Sequence, residues 1–193
     1  KTPKYSAHKA TFFSQKVDLL LAQGHDEAAG DLILATWKSE PQLARSVFDR
    51  LYNYFQQQNN PAAVHAWCKR LLDLGTALPF DLRSQALNWQ LTAALALKDA
   101  AAAQSDIDAI MAQLKPEEAT ALLQPALTRL IDAGQHDLAT RLTRHISEKK
   151  TSSPLYRDLA VTLSLRSVLA TSDWQAFPAA FQACAAQHTP ERP

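Results

Sequence analysis

"AQGHDEAAGDL", residues 22–32, returns in altered form as "DAGQHDLATRL", residues 132–142. In each stretch an apolar run stops at a glycine and polar residues follow. An alanine then stands five positions on: Ala29 after Gly24, Ala139 after Gly134. Glycine reaches the left-handed backbone that ends a helix without a Cβ penalty. A small residue early in the next helix lets two helices approach closely. Each stretch therefore reads as a short turn between two helices.

If that turn belongs to a repeating hairpin, the 110 residues between the two glycines should hold further turns. "QQQNNPAAVHAW" breaks at Asn59, with Pro61 placed for a first helical turn, where its missing N–H is not needed. "ALALKDAAAAQ" breaks at Lys98, with Asp99 as the N-cap of the alanine-rich run that follows. "LATSDWQAF" breaks at Ser172 and Asp173. With Gly24, Asn59, Lys98, Gly134 and Ser172 taken as equivalent, the spacings are 35, 39, 36 and 38 residues.

Each repeat then reads as helix A, a turn, helix B and a second turn. The second turns are marked by Pro41 in "KSEPQ", Gly75 and Pro79 in "DLGTALPFD", Pro116 in "QLKPEE" and Pro154 in "KKTSSPLY". A proline fits the start of a helix and stops one that runs into it. The units are therefore residues 8–40, 41–78, 79–115, 116–153 and 154–190, within a single domain spanning 1–193.

Apolar residues at helical spacing mark one stripe on each helix A. The stripes are Phe13, Val17 and Leu20; Phe48, Leu51, Tyr52 and Phe55; Leu87, Leu91 and Ala94; Leu123, Ala126, Leu127 and Leu130; and Val161, Leu165 and Val168. Lys16, Gln90 and Ser164 interrupt three of them. Helix B carries Val64, Cys68 and Leu71, then Ala103, Ile107 and Ile110, then Phe177, Phe181 and Cys184. The two cysteines then read as core positions of helix B, too far apart for the Cα separation of a disulfide. Pro125 and Pro178 fall where helices are drawn, so each should kink its helix or mark a later start. Gly30, inside a helix B, reads as a close-packing point.

Composition agrees. The 193 residues carry a net charge of +1 and only 4 glycines, with 47% hydrophobic and 20% charged residues. Alternating β-branched runs are absent, so no sheet is expected. The fold class is all-α, a right-handed α-α superhelix or solenoid of about five hairpins. No apolar stretch nears the roughly 20 residues that cross a bilayer, and "KTPKYSAHK" is no signal peptide. A soluble chain without direct membrane insertion is expected, and a cytoplasmic setting fits. The start at Lys1 and the ending "HTPERP" point to a piece of a longer protein, in which an anchor or targeting segment could lie elsewhere.

No motif for catalysis appears. His8, His25, His65, His136, His145 and His188 form no metal-ligand spacing. His25-Asp26 and His136-Asp137 sit in turns, where exposed polar residues are ordinary. Glu117 and Glu118 open a helix, where negative charge suits the dipole, and Arg141, Arg144, Lys149 and Lys150 gather near the end of another. Phosphate loops, nucleophile elbows and dinucleotide fingerprints are missing. No enzyme activity, cofactor or metal is expected.

The repeat resembles the tetratricopeptide repeat (TPR), whose units of about 34 residues have an alanine early in helix B and a closing proline. "FDRLYNYF" carries the resemblance best, with "AQGHDEAAGDLILATWKSEP", where Gly24, Ala29, Ile33 and Pro41 fall in register. The units here are longer, and Val17, Tyr52, Leu91, Leu127 and Leu165 replace the family's helix A glycine. The resemblance implies a concave surface lined by helix A residues that binds a protein or peptide. Projected onto this chain, that surface comprises Ser14, Asp18, Asp49, Asn53, Gln85, Asn88, Thr92, Gln124, Thr128 and Arg166. The lysines with which TPR clamps hold acidic C-terminal tails are replaced here by Ser14, Asp18 and Asp49, so such tails are not the expected ligand.

The expected function is that of a non-catalytic scaffold or adaptor. An RNA-binding helical repeat is the rival reading, and the net charge of +1 argues against it because nucleic-acid binding usually needs a strongly basic face. A docking or regulatory domain of a larger membrane-associated assembly is the third. Trp37 or Trp174, if exposed, could serve as an aromatic anchor, but tryptophan in a hairpin stack is usually a core residue. "WQAFPAAFQACAAQH" holds more apolar residues than one buried stripe needs, so the last helix should meet either a further helix or a partner, self-association included.

Overall fold

Five times among the described residues an α-helix closes on a residue with positive φ and a second α-helix begins. The residues are Gly24 (73°), Asn59 (49°), Lys98 (56°), Gly134 (74°) and Ser172 (54°), the five positions that the sequence spacing makes equivalent. Their hydrogen bonding is the same each time. The N–H of the turn residue donates to the carbonyl three residues back, and the next N–H donates five back, as in Gly134 to Ile131 at 2.9 Å and Gln135 to Leu130 at 3.1 Å. This is the Schellman closure, which satisfies carbonyls that the helix end would leave unpaired.

The chain is described from a computed structural model, which covers residues 3–149 and 153–188. All regular structure among these residues is helical: α1 (Pro3–Ala22), α2 (Asp26–Ser39), α3 (Pro41–Arg45), α4 (Arg50–Gln57), α5 (Pro61–Leu72), α6 (Phe80–Ala96), α7 (Ala100–Gln113), α8 (Pro116–Asp132), α9 (His136–Glu148), α10 (Pro154–Thr171) and α11 (Phe177–His188), with a 3₁₀ turn at Gly75–Ala77. Pro41, Pro61, Pro116 and Pro154 each stand in the first turn of a helix. Side-chain caps follow three of the five turns. Asn60 accepts from the N–H of Ala63, Asp99 from Ala101 and Ala102, and Asp173 from Gln175 and Ala176, at 3.0–3.2 Å. Gly134→Ala meets no atom within 4 Å, so its only cost is the left-handed backbone. A loss of about 1 kcal/mol is expected, read from chemical denaturation.

The helices gather into two compact units, Lys1–Ala93 and Ala94–Pro193. In the first, α1 packs on α2 and α4, and α4 on α5. Its core holds Val17, Ile33, Leu51, Val64, Trp67, Cys68 and Leu71. An aromatic column runs through it: Trp37 lies edge-on to Phe48, which stacks on Trp89 at 5.3 Å, and Tyr52 stacks on the same indole at 3.9 Å. Trp37 is thus a core residue, and its indole N–H donates to the carbonyl of Ala77 at 3.0 Å. The second helix A is not continuous. Between α3 and α4, residues 46–49 tighten into i→i+3 hydrogen bonds at a run of weak helix formers, Ser46, Val47, Phe48 and Asp49.

In the second unit α7 packs on α8 and α9, and α10 rests on both α8 and α9 and meets α11. Leu123, Leu127, Leu130, Ile107, Ile110, Leu142 and Ile146 are buried. Pro125 lies inside an uninterrupted α8 on its exposed side, and Pro178 falls in the first turn of α11, which starts later than the turn at Ser172. Two stripes differ from expectation. Along α10 the buried residues are Tyr156, Leu159, Ala160 and Leu163, while Val161, Leu165 and Val168 are only half-buried. On α11, Phe177 is half-buried and Phe181 exposed, and the side chain of Cys184 lies outside the described residues. The reason is geometric: no described helix follows to cover this face.

Candidate functional site

Counted back from the five turn residues, the predicted surface residues fall into a register. Ser14, Asp49, Asn88 and Gln124 stand ten positions before their turn, and Asp18, Asn53, Thr92, Thr128 and Arg166 stand six before it. Gln85 stands thirteen before. Positions four apart share a helix face, and every one of these side chains is exposed or half-exposed.

In the first unit the structure brings several of them together. Asp18 of α1 and Asn53 of α4 line a concavity of about 500 Å³ with Arg50, Tyr54, Gln56 and Gln57. Arg50 crosses from α4 to α1, its guanidinium 3.5 Å from the Asp18 carboxylate and donating to the Ser14 hydroxyl at 3.3 Å. Asn53 donates to Asp49 at 3.3 Å. The wall is thus an exposed, mixed-charge hydrogen-bonding surface whose members already hold one another. Gln85, Asn88 and Thr92 lie on α6. In the second unit Gln124 and Thr128 lie on α8, and Arg166 of α10 donates to both carboxylate oxygens of Asp132 at 2.9 Å.

These pairs share a spacing that the sequence reading missed. Asp18 with Arg50, Asp31 with Arg70, Asp132 with Arg166 and Asp108 with His145 each join one hairpin to the next inside a unit. Opposite charges about one repeat apart were the available signal. The half-buried Asp108 also accepts from Lys149 at 2.7 Å, besides its 2.8 Å contact with His145 Nε2. Burial works to raise its pKa, but the hydrogen bonds and charges of Lys149 and His145 outweigh that and hold the carboxyl below the usual carboxylate range. A depressed folded pKa gives stability that is full above the unfolded carboxyl's value of about 3.9 and is lost as pH falls through the lower folded value. Asp108→Asn should therefore cost less than about 1 kcal/mol near neutral pH, given the pair's exposure. Thermal midpoints of the two proteins should converge in acid.

Turns three and four line a second concavity of about 460 Å³ in the second unit, with Lys98, Gln135, His136 and Arg141 on its wall. Neither this concavity nor the first gathers a nucleophile with a base. No three His, Cys, Asp or Glu side chains among the described residues could hold a metal ion. No described helix is long and apolar enough to cross a membrane. Comparisons with family models, curated proteins and solved structures find no match to the chain.

Proposed function

We propose that the chain is a TPR-like helical repeat of the solenoid class, acting as a non-catalytic scaffold that binds a protein or peptide along its helix A faces. One observation carries this reading: the positions ten and six before each of the five left-handed turns hold polar, accessible side chains, and in the first unit two of them, Asp18 and Asn53, border a concavity. A regular spacing of amide, hydroxyl and charged groups suits an extended peptide, whose N–H and C=O groups recur at a regular interval. The side chains of Asn88, Gln124 and Thr128 make no hydrogen bond among the described residues and are ready to donate and accept.

The test is a crosslinking capture from native extract, comparing the wild-type chain with an Asn53→Ala, Asn88→Ala, Gln124→Ala variant. Exposed polar substitutions of this kind shift stability little, so helicity and thermal midpoint should match. At least a tenfold loss of one captured protein in the variant is the expected result. Equal capture by the two chains overturns the assignment of the surface, and capture abolished by nuclease overturns the protein-partner reading in favour of RNA.

A further inference from the structure

Counting from the turn residues exposes an interruption at the last hairpin. Five positions after each turn stand Ala29, Val64, Ala103 and Ala139, all fully buried, and then Phe177, which is half-exposed. Nine positions after stand Ile33, Cys68, Ile107 and Thr143, all buried, and then Phe181, 54% exposed. On helix A, the positions of the buried Leu123, Leu127 and Leu130 are taken in α10 by the half-buried Val161, Leu165 and Val168. Within the second unit the cover over α8 and α9 is α10, the helix A of the next hairpin. The face formed by α10 and α11 is therefore a seat for a helix A that no described residue fills. Leu169 (48% exposed) and Trp174 (67%) extend its apolar surface, and Phe177 and Phe181 are stacked at 5.8 Å.

The first hairpin shows the complementary feature. Phe12 of α1 stands twelve positions before its turn, where later hairpins place Val47, Ala86 and Ala160, all buried, and the half-buried Leu122. Phe12 is 70% exposed, and Leu19, seven residues on along the same helix face, is 57% exposed. Among the described residues, then, no hairpin packs on the Phe12 side of α1 and no helix A packs on the α10–α11 face. Of the four acids that link earlier hairpins to the next, Asp31, Asp108 and Asp132 have the uncharged counterparts Ala179, Gln182 and Ala170 here, and Asp18 has Arg166, which is already held by Asp132.

We propose that the α10–α11 face receives α1 of a second copy of this chain, with Phe12 and Leu19 entering against Leu165, Leu169 and Phe181. The contact continues, between molecules, the helix-A-on-hairpin packing seen inside each unit. It joins two different patches, so it is heterologous and propagates head to tail. It uses other residues than the polar helix A surface and does not depend on peptide binding there.

The test is the mass of the 193-residue chain by light scattering across a concentration series. For the wild type, mass should grow with concentration beyond the 21.3 kDa monomer. Phe12→Asp and Phe181→Asp each change an exposed side chain, so each should keep its helicity yet remain monomeric. An equal mixture of the two has one intact α1 and one intact seat, and its mass should stop at twice the monomer. A wild-type chain that stays monomeric at every concentration overturns the proposal. Growth that survives Phe12→Asp overturns it as well, and assigns the face to a symmetric α11 contact.

Discussion

Replacing Trp67 with alanine is expected to cost about 3–5 kcal/mol, the usual range for deleting a buried aromatic side chain. Trp67 is among the largest fully buried side chains. It lies on α5 against the hairpin before it, with Arg70 5.9 Å above its ring. Truncation removes that apolar surface and leaves a cavity that neighbouring helices, closed at fixed turns, cannot easily fill. Such a loss is a large share of the 5–15 kcal/mol that a domain commonly has. The indole N–H is buried without an acceptor among the described residues, so Trp67→Phe deletes an unsatisfied donor as well as volume. Its cost should fall well below that of the alanine variant. Urea denaturation followed by circular dichroism gives both values, and equal costs for the two variants would show that volume is not the deciding quantity.

A leucine at position 30 is expected to cost about 2–3 kcal/mol through overpacking. A Cβ added to Gly30 would stand 3.2 Å from Trp67, 3.2 Å from Arg70 and 3.4 Å from Leu51. Arg70 is flexible but holds Asp31, and Trp67 and Leu51 are buried and hemmed in. Gly30→Ala sits near balance, because the helix propensity gained, about 1 kcal/mol, offsets the crowding of one methyl group. The leucine has no such balance. Since Trp67 is the obstacle, Gly30→Leu combined with Trp67→Ala should cost at least about 1 kcal/mol less than the two changes summed. Additive costs in the same denaturation series would show that the leucine does not enter the space the indole leaves.

Sequence alone determined the turn register. Gly24 and Gly134 carried it openly, and Asn59, Lys98 and Ser172 followed from spacing, because a left-handed helix closure and the cap after it are settled within about six residues of chain. The helix starts at Pro41, Pro116 and Pro154 and the close approach at Gly30 were legible for the same local reason. Tertiary structure alone decided which apolar stripes are covered and which polar residues are engaged. Val161, Leu165 and Phe181 match the buried stripes of earlier hairpins in chemistry and spacing, yet they remain accessible because burial depends on a neighbouring helix and not on the stripe itself. Asp18 and Arg166 read as groove residues but are held by Arg50 and Asp132, and His145 meets Asp108 across a hairpin. Those pairings join residues 32 to 37 positions apart, and no local preference of the chain encodes them.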